Sequence, residues 1–413
     1  MMSESAIARN SAITSSDEIV DLCFKLGQKF KERAAKYDRE GSFPVENYED
    51  LKAAGLLSIM IPQKHGGLGS DFLTYTRALE QLAKGCASTA LTYNMHNIAV
   101  GSIAEIDLDE IPGRHGDLMR KFRDWVYHEV VVGKKTFASA ASEPGIGAHF
   151  SKMTTTFEKT EGGYLINGEK SWVSMAGYAD YYVVAARPPE VNSEVPPISF
   201  LVVENGNPGI KFKNIWDVLG MRATSTNPMT LTNCFVPTEA LFLATAGLAL
   251  VKLAREPHWT IGGYIGVYLG IASAAFEFMV EMLKGKKIPG TNVSRSEDPL
   301  IQTRVGEIYS RLEAARTVVY SAAHLIDTQR GTPAANAAIH NSKYVVSELG
   351  PWLTSWAIRL CGATGLAKAL PLERNYRDAR CGGLMPATSD ECLEYMGKAA
   401  FGTDLSKPVA TYW

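Results

Sequence analysis

The hydrophobic period of the chain changes twice, and that pair of changes limits the fold more than any single motif. Over residues 17–38, Ile19, Leu22, Cys23, Leu26 and Phe30 recur at helical spacing, with Lys and Glu between them. Phe43-Pro44 breaks this helix. Residues 45–54 resume one that Gly55 closes, and residues 72–83 and 87–103 are helical again. From Thr136 to about Val236 the period becomes two. Tyr164-Leu165-Ile166, Ser171-Trp172-Val173, Phe200-Leu201-Val202-Val203 and Met229-Thr230-Leu231-Thr232 are short strands. Asn167-Gly168 predicts a tight hairpin turn between the first two, since both residues accept positive φ. Pro196-Pro197 and residues 205–209 mark further turns. After Pro237 the helical period returns. Ile265, Leu269, Ala272, Ala275 and Phe276 make one stripe, and Ile301, Val305, Ile308, Leu312, Ala315, Val318 and Val319 another. Residues 338–360 and 391–400 complete a set that packs as an antiparallel bundle. The divisions fall at 1–135 (helical), 136–240 (strands) and 241–413 (helical).

Composition narrows the function. A length of 413 residues allows two or three domains with an ample core, and a net charge of −2 predicts no general attraction to nucleic acid or anionic membrane. The six cysteines form no C-x-x-C and no zinc spacing, which predicts reduced thiols in a cytoplasmic protein. The first 18 residues lack the apolar core of a signal peptide and read as a polar lead-in. The most apolar run, residues 240–254, is too short to span a bilayer, which takes ~20 residues. The eight histidines show no metal spacing. Gly133-Lys134-Lys135-Thr136 lacks the upstream glycine of a P-loop, and residues 145–150 lack the third glycine of a dinucleotide fingerprint.

Four segments then fit one pattern in order. Ser142-Glu143-Pro144-Gly145-Ile146-Gly147 resembles the T-E-P-G-x-G-S of the acyl-CoA dehydrogenase family, and residues 167–174 (NGEKSWVS) resemble its N-G-x-K-x-W-I-T. Residues 219–226 (LGMRATST) resemble its L-G-M-R-G-T-D-T, and residues 371–380 (PLERNYRDAR) its P-x-E-R-x-Y-R-D-A-R. The resemblance implies an α+β multidomain fold: an N-terminal α-helical domain, a middle β-barrel or sandwich-like domain and a C-terminal four-helix bundle. It also implies FAD between the β-domain and the bundle, oxidation of an acyl thioester at its α,β bond, and a homotetramer that shares its cofactor sites between subunits. Acyl-CoA or another acyl thioester would be the substrate, and an electron-transfer flavoprotein or another acceptor would take the electrons. Ala140, Ser142, Trp172 and Ser174 match the family's flavin contacts, and Thr388 is assigned with them. The run 359–365 matches the Q-x-x-G-G-x-G segment at the adenine and pyrophosphate, with Arg359 in place of Gln and with Ala363 at the cofactor.

The departures from the pattern bear on the chemistry. The family's catalytic glutamate position holds Pro386, within Pro386-Ala387-Thr388, and proline has no acid–base function. A second base position used in the family falls at Thr260. The R-x-F-G that supplies a flavin-phosphate arginine is absent, since residues 284–291 read KGKKIPGT, and this leaves FMN open beside FAD. Asp390, about one turn past Pro386, is the first candidate for a displaced base and Glu256 the second. Glu143 is a loop acid that the family carries wherever its base lies, and His96 reads as a satisfied core histidine. A proton-abstracting dehydrogenase, a flavin monooxygenase on the same fold, which needs no such glutamate, and a catalytically silent flavoprotein all remain open.

Overall fold

The computed structural model describes residues 15–190, 193 and 195–408; of the polar lead-in expected over residues 1–18, residues 1–14 lie outside them, while Ser16, Asp17 and Glu18 already belong to the first helix. Among the described residues, five α-helices come first: α1 (Ser16–Glu40), α2 (Val45–Ala53), α3 (Phe72–Gly85), α4 (Ala87–Ala104) and α5 (Gly113–Val131). Ser15 and Glu18 form a capping box at the start of α1, which satisfies its first free N–H groups. Sequence periodicity gave no helix over residues 113–131, yet α5 buries Met119, Phe122, Val126 and Val130 on one face.

Seven strands follow: β1 (Phe137–Ala140), β2 (Thr156–Thr160), β3 (Gly163–Val173), β4 (Tyr181–Ala186), β5 (Ser199–Glu204), β6 (Ile210–Phe212) and β7 (Asn227–Pro237). They form two sheets, in the orders β1-β4-β5 and β2-β3-β7-β6. Within these two sheets, among the described residues, β1 and β4 are the parallel pair, and an isolated parallel bridge joins Thr156 to Arg187. Ala138, Ala140, Tyr182, Val184 and Leu201 of one sheet meet Phe157, Ile166, Met229 and Leu231 of the other in one core, so the domain is a sandwich and not a closed barrel.

The hairpin expected at Asn167-Gly168 does not form. β3 runs straight through both residues with a register shift between Ile166 and Gly168, and the β2–β3 turn lies at residues 161–162. Gly168 answers a different need: a Cβ there would lie 2.5 Å from the Thr155 hydroxyl oxygen and 2.7 Å from its Cα. Asn167 accepts a hydrogen bond from the Asn233 N–H, which ties β3 to β7.

The closing helices are α6 (Ala249–Arg255), α7 (His258–Gly285), α8 (Pro299–Gln329), α9 (Pro333–Cys361), α10 (Pro371–Arg380) and α11 (Ser389–Ala400). Nearly every residue of α7 from His258 to Ala275 is buried, against α9 on one side and α3 and α4 on the other. By length and composition α7 could cross a membrane, unlike the shorter apolar run at residues 240–254. An all-round apolar helix is also what a bundle core requires, and most of this one is covered by its neighbours. Residues 240–254 themselves break into two short turns of 3-10 helix and α6.

The β-domain is fastened to the bundle through α10. Arg377 donates to the Leu219 carbonyl at 2.9 Å and to both oxygens of Asp38 on α1. Asp378 is buried and accepts from the Met221 N–H at 2.6 Å. Gly220 sits so close that a Cβ would lie 2.3 Å from the Arg377 carbonyl oxygen. Two of the sequence motifs are therefore the two halves of one joint.

Burial pushes the Asp378 carboxyl up to about 6, against the pull of the Met221 N–H and nearby arginines. A carboxyl raised in this way contributes stability that is complete below its unfolded value and is lost as pH rises through about 6. Asp378→Asn keeps an acceptor for Met221 without the charge. It is expected to exceed the parent in stability by roughly 1–3 kcal/mol at pH ~8. Urea unfolding midpoints should show this gap shrinking towards pH ~5; parallel profiles would mean that the carboxyl carries no burial penalty.

Candidate active site

Between the sandwich and the helices lies a cavity of about 1080 Å³. That is at the upper end of small-molecule sites, which run to ~1,000 Å³. Its apolar wall follows α4 through Leu91, Met95, Ile98 and Ala99 to Ser102. A span from 91 to 102 on a helix covers roughly 16 Å, so the cavity is elongated. Met119, Phe242, Leu243, Leu248 and Trp259 add further apolar lining.

The sandwich supplies the opposite wall. Ser139, Ala141 and Ser142 face the cavity, whereas Ala140 points into the sandwich core, because alternate residues of a strand take opposite faces. Ala140 can thus offer only its backbone. Trp172 lines the cavity and is 56% exposed, unusual for so large a ring inside a domain interface, with Trp216 edge-on to it at 5.7 Å. Ser174 lines the same wall and shares a chain of hydroxyls with Thr226 and Thr224 at 2.9 and 2.7 Å. An open aromatic face beside hydroxyls, in a cavity of this size, fits a flat heteroaromatic ring that needs edge contacts.

Pro386 and Thr388 line the third side with Leu384 and Met385. Thr388 is the N-cap of α11: its side chain accepts from the Glu391 N–H, and the Glu391 carboxylate accepts from the Thr388 N–H at 2.6 Å. Asp390 is not brought to the cavity. It sits one residue before Glu391 in the first turn of α11, exposed, and does not belong to the lining. The step of one residue turns it by about 100°, which carries it off the face where Glu391 reaches back to the cap. Arg359 and Ala363 are likewise exposed and outside the lining, at the far end of α9, where the Arg359 guanidinium lies 4.7 Å from the Trp356 ring. Lys286 donates to the Cys361 carbonyl and brings the 286–298 loop to this same end.

The carboxylates that do line the cavity are Asp107, Glu256 and Glu391. Glu256 is held loosely, with Lys252 at 3.6 Å and Arg330 at 4.0 Å, while exposed Asp107 accepts from the Asp109 N–H at 3.2 Å. Behind it Glu105 is nearly buried and bonded to Lys252 Nζ, His258 Nε2 and Trp259 Nε1 at 2.7–2.9 Å. Burial alone would raise the Glu105 carboxyl, but His258 and Lys252 outweigh it and hold the group at about 2. No local pattern announces this cluster, whose members are up to 225 positions apart (Glu105 to Arg330) and meet where four helix ends converge. Arg380 was also missed; it lines the cavity at the end of the motif that forms the joint.

Glu143 is a structural acid. Its carboxylate accepts from Lys170 Nζ at 2.8 Å, from the Thr154 N–H and hydroxyl, and from the Thr155 N–H, and the pair with Lys170 is sealed from solvent. Burial would raise its carboxyl; Lys170 and the threonine donors prevail and hold it at about 2. His96 is buried between the Leu57 carbonyl and the Phe137 N–H, and burial pushes its imidazole down to about 4. It is a satisfied core histidine joining α4 to β1.

Comparison with known proteins agrees with this architecture along the chain. Residues 24–106, 138–234 and 263–389 match the acyl-CoA dehydrogenase N-terminal, middle and C-terminal domains in turn. The short/branched chain specific acyl-CoA dehydrogenase of Bos taurus mitochondria is 29% identical over 371 residues, 88% of this chain and 80% of that protein. The solved structure of KijD3 with FMN and a dTDP-amino-keto sugar superposes with a TM-score of 0.81 at 26% identity, covering 95% of this chain and 96% of that one. The dibenzothiophene monooxygenase TdsC from Paenibacillus superposes with a TM-score of 0.80 at 22% identity, over 93% of this chain and 97% of that one, which shows a shared fold.

The structural role of Glu143 is open to a direct check. Glu143→Gln leaves the Lys170 ammonium buried without a counter-charge, and is expected to cost about 3–5 kcal/mol of stability. Glu143→Gln with Lys170→Met should recover most of that loss. Thermal unfolding of the three proteins measures it; a single variant as stable as the parent, but inactive, would return Glu143 to the catalytic candidates.

Proposed function

The chain belongs to the acyl-CoA dehydrogenase family and is a flavin-dependent oxidoreductase, and from that premise we propose that it oxidises an acyl thioester at its α,β bond with FAD held in the cavity between sandwich and bundle. One observation carries the reading: an exposed tryptophan and a row of hydroxyls share one elongated cavity with an apolar channel along α4. The flavin ring would lie against Trp172, with Ser142, Ser174 and the backbone around Ala140 at its edge and Thr388 near the bundle side. When bound, the flavin supplies a hydride acceptor. The apolar α4 wall would take the acyl chain and keep water from it.

FAD, as opposed to FMN, calls for cations at a second phosphate. Of the cations that line the cavity, Arg380 is the one nearest to Pro386 in the chain. Arg359 and Lys286 lie together at the end of α9, where they could serve the cofactor of another copy. We therefore propose a homo-oligomer, a tetramer by analogy with the family, in which Arg359 and Ala363 complete a neighbour's site. An electron-transfer flavoprotein is the proposed acceptor.

The proton acceptor in this reading is Glu256. It lines the cavity at the joint between α6 and α7, shortly before Thr260, and is loosely paired, whereas Asp390 faces away. A second reading, a flavin monooxygenase, is favoured by one specific observation: Pro386 and Thr260, at both base positions of the family, line the cavity and neither can take a proton from carbon.

Anaerobic mixing of the flavin-loaded protein with acyl-CoAs of graded length separates the two. Bleaching of the flavin band is expected. Glu256→Gln should slow it by ~10²–10⁴-fold with flavin still bound, and Asp390→Asn should leave it unchanged. If no acyl thioester bleaches the wild type, while reduction by an external flavin reductase is followed by oxygen uptake, the monooxygenase reading replaces the first. Mass spectrometry of the released cofactor distinguishes FAD from FMN.

A further inference from the structure

Lys343, midway along α9, is fully buried and makes no ion pair among the described residues. Its Nζ donates instead to the carbonyls of Gly382 at 2.7 Å, Ala387 at 3.0 Å and Met385 at 3.3 Å, and to the Ser347 hydroxyl at 3.2 Å. The rings of Tyr264 and Tyr268 lie on its other side, with centroids at 5.6 and 5.8 Å. The buried lysine of the sandwich, Lys170, is by contrast paired with Glu143.

The carbonyls that Lys343 holds belong to the loop around Pro386, and Met385, Pro386, Thr388 and Tyr264 all line the cavity. The ammonium therefore sits one layer behind that wall. The acids nearest to it are engaged elsewhere: Glu391 accepts from the Thr388 N–H, and Glu348 from the Ser389 hydroxyl. Cys392 and His340 also face it. Burial pushes that thiol up to about 11 and that imidazole down to about 3, so neither carries charge at neutral pH. In a poorly polarisable interior a charge acts over several ångströms with little damping. The wall where the family places a carboxylate thus carries a neutral loop backed by a cation.

We infer that Lys343 is a positioning residue of the active site, fixing the 382–388 wall by its carbonyls and giving that wall a positive potential, so that the cavity favours a flavin that gains negative charge on reduction. Burial also pushes the ammonium down to about 8, which leaves it mostly charged at neutral pH. The inference rests on the flavin lying in this cavity.

The test is anaerobic equilibration of flavin-loaded protein with a redox dye of known potential, for the wild type, Lys343→Met, Lys343→Arg and Ser347→Asp. Lys343→Met removes the charge and the donors. Ser347→Asp leaves the carbonyl bonds in place and sets a carboxylate beside the ammonium. Both are expected to shift the equilibrium at least tenfold towards oxidised flavin, and Lys343→Arg to stay within threefold of the wild type. Lys343→Met that binds flavin with an equilibrium within threefold of wild type overturns the inference. Should Lys343→Met not fold, Ser347→Asp decides by the same criterion. A wild type that takes up no flavin overturns the parent reading and this one with it. A yellow wild type with unresponsive variants overturns this one alone.

Discussion

Everything that makes the cavity depends on the joint between α10 and the 219–221 loop. Arg377 reaches both the Leu219 carbonyl and Asp38, and Asp378 holds the Met221 N–H, so a helix of the bundle, a loop of the sandwich and α1 meet in one hydrogen-bonded knot. The Arg222 side chain adds a bond to the Asp38 carbonyl, and the Trp216 ring N–H reaches the Met221 carbonyl. Trp216 in turn stands edge-on to Trp172. The knot thus fixes the distance between the aromatic wall and the Pro386 wall. A cavity between two domains keeps its shape only if the domains cannot slide, and polar bonds at defined atoms resist sliding better than apolar contact, which is non-directional.

The cavity so held has an uneven distribution of charge. At the Pro386 wall, among the described residues, the Glu391 carboxylate is taken up by the Thr388 N–H, and a buried ammonium lies behind the loop. At the α6–α7 junction Lys252, Arg330, Glu105 and Glu256 form a network whose inner member, Glu105, is saturated and whose outer member, Glu256, is loosely held. Acid–base chemistry needs a group that is both near the substrate and free to change its protonation. Glu143 and Glu105 are each fixed in the ionised state by buried donors, which suits them to holding backbone and side chains in place.

The alternation from helices to strands and back was legible in the chain, because burying a stripe or a face imposes a period on local sequence. So were the segments that meet at the cavity: Ser142, Trp172, Ser174 and Thr388 all line it. Local pattern failed where a residue answers to a distant one. Asn167-Gly168 has the composition of a turn, yet Gly168 is required by Thr155 across the domain. Helix α5 escaped because its apolar positions are separated by charged ones that meet partners elsewhere, as Arg123 meets Asp109.

The order of the elements, the family they belong to and a proline, not a carboxylate, at position 386 can all be read from the chain, since each is a property of residue identity along it. Where the remaining charges lie is settled by the packing of distant segments. In the sequence Asp390 is the first candidate acid and Glu256 the second, but a turn of one residue at a helix start sends Asp390 to solvent, and the convergence of four helix ends brings Glu256 to the cavity. Lys343 reads as an ordinary helix lysine until α9, α7 and the 382–388 loop close around it. Burial and proximity are sums over the whole fold, and no local window of sequence contains them.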